Sequence, residues 1–178
     1  MVVAAIWIAV AWCVVTATTG ITGIRLMGVT SNSMAPTLLQ GDHLLVARAG
    51  SRTARRGAIV VVRTPTSWRE PLARLQRTAV GAVPDHLVKR VIGVGGDVVA
   101  CCRADGQLTV NGVPLDEPYL PRAAGSAGSA TFEVTVPAGH LWLMGDNRPE
   151  SLDSRAMRVQ GAGTVPAAQV RARILLTW

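Results

Sequence analysis

Val88-Lys89-Arg90-Val91-Ile92-Gly93-Val94-Gly95-Gly96-Asp97 is a β-branched run that breaks at a glycine-rich turn. Such runs bounded by turn residues read as strands. Leu87–Ile92 and Val98–Cys102 are therefore expected as two strands joined through Gly95-Gly96-Asp97. On a strand Lys89 shares a face with Leu87 and Val91, which gives its amine an apolar setting, while Arg90 alternates to the other, exposed face. The glycines do not suggest a nucleotide loop, because no helix follows them.

Outward from this stretch the pattern stays β. His43–Ala47, Ala58–Val62, Phe132–Val136, Leu141–Met144 and Val170–Leu176 read as strands. Leu108–Val110 and Val113–Leu115 flank Asn111-Gly112, a type I′ hairpin signal. Thr64–Gly81, arginine-rich with Pro65 and Pro71, reads as an exposed excursion, and Ala123–Ala130 as a flexible segment of small residues. Apart from a short piece at Pro166–Val170, no helical period is expected beyond the amino end. There, Val2–Ile24 carries no Lys, Arg, Asp or Glu and is long enough to cross a bilayer as a helix. It lacks the basic start and short core of a cleaved signal peptide, so an uncleaved anchor is expected.

The chain has 178 residues and a net charge of +7. Its arginines are scattered, with one Phe and one Tyr, which argues against nucleic acid and suits anionic lipid head groups better. Cys13, Cys101 and Cys102 make no disulfide framework or zinc spacing. On a strand, neighbouring Cys101 and Cys102 point to opposite faces, so two buried or half-buried thiols are expected. His43, His86 and His140 lie far apart in sequence and read as ordinary surface or turn residues.

Two further stretches bear on chemistry. Ser31-Asn32-Ser33-Met34-Ala35-Pro36-Thr37-Leu38 sets two hydroxyls two residues apart, on one face of an extended chain. Gly145-Asp146-Asn147-Arg148-Pro149-Glu150-Ser151-Leu152-Asp153-Ser154-Arg155 gathers turn formers, charges and serines. Taken alone, each reads first as a turn or polar loop with local side-chain hydrogen bonds. No histidine accompanies a serine and an acid, which leaves Lys89 as the available base, provided burial lowers its pKa.

The three stretches, in this order, resemble bacterial type I signal peptidases, membrane-bound serine proteases with a Ser–Lys dyad. The resemblance runs from about Met27 to Arg155. It implies a mainly β fold: a signal-peptidase/LexA-like coiled antiparallel β-sheet catalytic domain with an N-terminal transmembrane helix. Residues 1–25 are then the anchor and 26–178 the peptidase domain, with a small cap-like insertion at about 98–140. It implies Ser33 as nucleophile and Lys89 as general base. The Ser33 amide and Ser31 hydroxyl are implied as oxyanion donors, and Ser151 as a hydrogen-bond partner orienting Lys89. Asp153 and Arg155 are implied as an ion pair behind the site, with Asp146 and Asn147 in turn contacts. Val29, Met34, Leu38 and Val88 map onto a shallow apolar lining selecting A-x-A-like sites. The implied substrates are signal peptides of exported preproteins, the implied place the outer side of the cytoplasmic membrane on a single-pass anchor, with no cofactor and no metal. Gly95 and Pro149-Glu150 depart from the family pattern without removing a catalytic group. The rival reading is a non-catalytic, membrane-tethered β-domain that binds exported chains.

Overall fold

The computed structural model describes residues 23–103, 106–120 and 131–178. The expected transmembrane helix and the Ala123–Ala130 segment lie outside these residues. Among the described residues no helix is long and apolar enough to cross a membrane.

Among the described residues eleven strands form two antiparallel sheets. They are β1 (Ile24–Gly28), β2 (His43–Arg48), β3 (Ile59–Arg63), β4 (His86–Val94), β5 (Val98–Cys101), β6 (Thr109–Val110), β7 (Val113–Pro114), β8 (Phe132–Thr135), β9 (His140–Met144), β10 (Val165–Pro166) and β11 (Val170–Thr177). The larger sheet has the order β1-β2-β11-β3-β4-β9-β10, the smaller β7-β6-β5-β8. Ile24 and Arg25, read from sequence as the end of the anchor, instead begin β1 and pair with Ala47 and Val46. At the β6–β7 hairpin Asn111 and Gly112 both have positive φ (55° and 76°), as a type I′ turn requires.

Leu141–Met144 of β9 and Val91–Val94 of β4 carry no polar side chain because both of their faces are covered. Val91, Leu141 and Leu143 face one core with Val60, Val62 and Trp68. Ile92, Trp142 and Met144 face the other with Val99 and Phe132 of the small sheet and Leu108 just before β6. A third cluster, Met34, Leu38, Leu44, Val46, Val61 and Ala172, lies beneath the serine stretch.

Thr64–Gly81 is exposed over its second half, Arg74–Gly81, as expected, but its first half packs onto the core. It contains helix α1 (Thr66–Gln76), which buries Trp68, Leu72 and Ala73. Trp68 and Leu72 are four apart and share a face; the Trp68 indole N–H donates to the Ala162 carbonyl at 2.6 Å. Pro71 sits inside the helix, where it removes a backbone donor, and that burial offsets the loss. A second helix, α2 (Ser154–Val159), is capped by Asp153, whose carboxylate accepts from the Arg155 amide. The expected piece near Pro166 is a 3-10 turn at Ala167–Gln169.

Cys101 and Cys102 are joined by a disulfide rather than standing as two thiols. Strand β5 ends at Cys101, so Cys102 is freed from the strict alternation that separates neighbouring side chains.

Candidate active site

The serine stretch leaves β1 as a compact loop held at both ends. The Val29 amide donates to the Asp42 carbonyl and the Gly41 amide to the Val29 carbonyl, each at 2.9 Å. Inside the loop, the Asn32 side chain accepts from the Gln40 amide at 3.0 Å. Met34 and Leu38 are plunged into the third core cluster, leaving Ser33 between the anchored residues and the surface.

Strand β4 brings Lys89 to this loop. Lys89 Nζ donates to Ser33 Oγ at 2.7 Å across 56 residues of sequence. The lysine is only 3% exposed. Burial lowers its pKa from 10.5 to about 8; the Asp153 carboxylate opposes the change, the Arg155 guanidinium assists it and Asp146 opposes it. Ser31 Oγ donates to Ser33 Oγ at 3.3 Å.

A loop from the end of β9 closes the arrangement from behind. The Asn147 amide donates to the Ser33 carbonyl at 3.2 Å, and its side chain donates to the Asn32 carbonyl at 3.1 Å. Gly145 makes this approach possible: a Cβ there would stand 2.2 Å from the Ser33 carbonyl oxygen and 2.3 Å from Ser151 Oγ. Asp153 accepts from the Gly145 amide at 3.0 Å and pairs with Arg155 at 2.8 Å.

Arg90 does not face water, because β4 is covered on both sides. It forms a two-pronged pair with Asp146 at 2.8 and 2.6 Å, donates to the Gly57 carbonyl at 2.9 Å, and lies 3.7 Å over the Tyr119 ring. Burial works against its charge, but the bond to Asp146 and that carboxylate's field raise its pKa overall. Asp146 makes the expected turn contact, its carbonyl accepting from the Arg148 amide at 3.0 Å, but its carboxylate is fully buried and also accepts from the Thr37 hydroxyl. Behind it Arg148 pairs with Glu117, which accepts from the Tyr119 hydroxyl at 2.6 Å. Three guanidiniums, Arg90, Arg148 and Arg155, face three carboxylates, Asp146, Glu117 and Asp153. That cluster is balanced without Lys89, so a neutral amine completes it at no net charge.

Two expected site residues differ. Ser151 Oγ is buried with no hydrogen-bond partner among the described residues, so the implied bond to Lys89 is not formed. Leu38 is a core residue under the loop, not a wall of the site. Val29, Met34 and Val88 do line a cleft of about 710 Å³ that also contains Ser31, Ser33 and Lys89. No grouping of His, Cys, Asp and Glu suited to a metal occurs among the described residues. Sequence reading missed Gly145, Arg90, Arg148, Glu117 and Tyr119 as parts of the site. The signal available for Gly145 was its place between a strand end and a polar loop; for the rest the partners are too remote in sequence to pair by eye.

The family described as signal peptidase, peptidase S26, matches the chain over residues 1–178. Signal peptidase I of Mycobacterium tuberculosis (strain ATCC 25618 / H37Rv) is 39% identical over 184 residues, covering 82% of this chain and 62% of that protein. Signal peptidase I U of Bacillus subtilis (strain 168) is 36% identical over 132 residues, covering 70% of this chain and 61% of the relative. The chain therefore spans about three fifths of the length of these curated relatives. A crystal structure of a signal peptidase I from Enterococcus faecalis V583 overlaps with a TM-score of 0.46 at 27% identity, covering 68% of this chain and 96% of that one.

Proposed function

The chain belongs to the signal peptidase family, peptidase S26, and we propose that it is a serine endopeptidase in which Ser33 and Lys89 form the reacting pair. The observation that carries the reading is the 2.7 Å contact between Ser33 Oγ and a lysine amine shielded from water. A serine hydroxyl needs a base to become a useful nucleophile, and a lysine with a pKa of about 8 is neutral in roughly one molecule in ten at pH 7. Ser33 Oγ attacks the scissile carbonyl while Lys89 Nζ accepts its proton. The oxyanion is held by the Ser33 amide and the Ser31 hydroxyl. Lys89 then protonates the leaving amine and afterwards takes a proton from the water that releases the acyl group. Asp153 and Arg155 hold the Gly145 loop against the Ser33 carbonyl.

The substrates in this reading are signal peptides of exported preproteins. Val29, Met34 and Val88 form shallow apolar seats that accept small residues, as in A-x-A sites. The uncharged run ahead of β1, residues 2–22, serves as a single anchor in the cytoplasmic membrane, with the catalytic domain on its outer side. That keeps Ser33 near the bilayer surface, where such peptides end.

The test is to incubate the detergent-solubilised full chain with a preprotein. Cleavage is expected to continue in the presence of a metal chelator and to disappear in Ser33→Ala and Lys89→Ala. Undiminished cleavage by the folded Lys89→Ala variant overturns the assignment.

A further inference from the structure

Three carboxylates near the reacting pair are each matched by a guanidinium: Asp146 by Arg90, Asp153 by Arg155 and Glu117 by Arg148. Glu150 is not. It makes no ion pair among the described residues, in a chain whose net charge is +7. It is exposed and lines the cleft that holds Ser33 and Lys89. Among the described residues lining that cleft it is the only acidic one.

Its carboxylate is held in place beside the nucleophile. Oε2 accepts from the Asn147 side-chain amide at 3.0 Å, and the Glu150 backbone amide donates to the Asn147 carbonyl at 3.1 Å. The same Asn147 side chain donates to the Asn32 carbonyl at 3.1 Å, and the Asn147 backbone amide to the Ser33 carbonyl at 3.2 Å. One residue therefore separates the charge from the chain of Ser33. Pro149, just before Glu150, fixes its own φ and stiffens the turn. Oε1 accepts no hydrogen bond among the described residues and is open to a donor.

The two walls of the cleft belong to different cores. Val29, Met34 and Val88 pack with the third cluster, whereas Leu87 and Leu152 pack with the first. Val88 and Leu87 are neighbours on β4 and point to opposite faces. From His86 to Lys89, β4 is paired only with β3 among the described residues, so its other edge is open to an extended peptide. Such a peptide alternates in the same way. When its first and third residues before the cut enter the valine wall, the second turns to the wall of Leu152 and Glu150. The other cations of this region leave Glu150 unmatched. Lys89 is buried against Ser33, and neither His86 nor Arg77, which follows Gln76 at the end of α1, forms an ion pair with it.

We propose that Glu150 is a specificity residue for the middle position of A-x-A, where it takes a basic side chain of the substrate, a lysine ammonium or an arginine guanidinium. The inference rests on the peptidase reading above and deepens it. The small seats select the residues on either side, and the carboxylate selects the one between them by charge. An exposed ion pair of this kind changes binding by about two- to fivefold. An acidic residue at the same position is repelled by a similar factor.

The experiment measures kcat/KM of the full chain on three peptides that differ only in the middle residue of A-x-A: Lys, Gln or Glu. The Gln peptide is the internal reference, so a general loss of activity in a variant cancels. In the parent the order Lys over Gln over Glu is expected, with steps of about threefold. The steps should shrink to within about 1.5-fold at about 1 M salt, where charges are screened beyond roughly 3 Å. Glu150→Gln keeps an oxygen for the Asn147 amide and should cleave the three peptides alike. Glu150→Lys should reverse the order. Equal cleavage of the three peptides by the parent, or an order that survives unchanged in either variant, overturns the assignment of Glu150 alone. A parent inert to every peptide and to whole preproteins overturns the peptidase reading and this assignment with it.

Discussion

Replacing Lys89 by methionine removes the reactive amine but should make the fold more stable. The ammonium is buried, and its proton affinity records the cost: the pKa falls from 10.5 to about 8. At 1.36 kcal/mol per pH unit, that displacement corresponds to about 3 kcal/mol of instability when the group is charged. The sign follows from proton uptake. Below pH 8 folded and unfolded chains both carry the proton, and the folded form bears the whole penalty. Between 8 and 10.5 the unfolded chain binds more protons than the folded one, so stability rises with pH. Above 10.5 both are neutral and the penalty is gone. Methionine fills similar volume without a charge, and the lost bond to Ser33 returns about 1 kcal/mol. Urea unfolding of the parent and Lys89→Met in detergent should therefore show the variant ahead by about 2 to 3 kcal/mol at pH 7. The lead should vanish by about pH 11. A variant no more stable than the parent at pH 7, or a difference that does not change with pH, refutes the desolvated amine.

Two other outcomes follow from the same geometry. Peptide cleavage should rise with pH through a midpoint of about 8, because only the neutral amine accepts the Ser33 proton; a kcat/KM profile flat from pH 6 to about 9 contradicts this. Gly145→Ala places a methyl group 2.2 Å from the Ser33 carbonyl oxygen and must push the serine loop aside. Turnover should fall by at least about a hundredfold while the far-ultraviolet circular dichroism is kept, a loss typical of ångström-scale misplacement.

Much of the β architecture was legible because its strands are β-branched runs bounded by turn formers. Ile59–Arg63 and His86–Val94 lie within a few residues of where composition puts them, and Asn111-Gly112 announces its own hairpin. What failed were inferences from local rules where distant burial decides. Pro65, Pro71 and several arginines hide a helix that Trp68 and Leu72 hold in place. Arg90 was assigned to water by alternation, a rule that needs one open face; at Arg90 β4 has none. The pairing of Ser33 with Lys89 is invisible to periodicity and entered through resemblance to a family. That resemblance also implied a Ser151–Lys89 bond, which is not formed among the described residues.

Asp146 holds Thr37, four positions after Ser33, and Arg90, the immediate neighbour of Lys89. One carboxylate thus acts as a spacer bar between the two chain segments that must meet for chemistry. Lesions in this bar should produce slow catalysts with intact secondary structure, a class of defect that screens for misfolding would pass over.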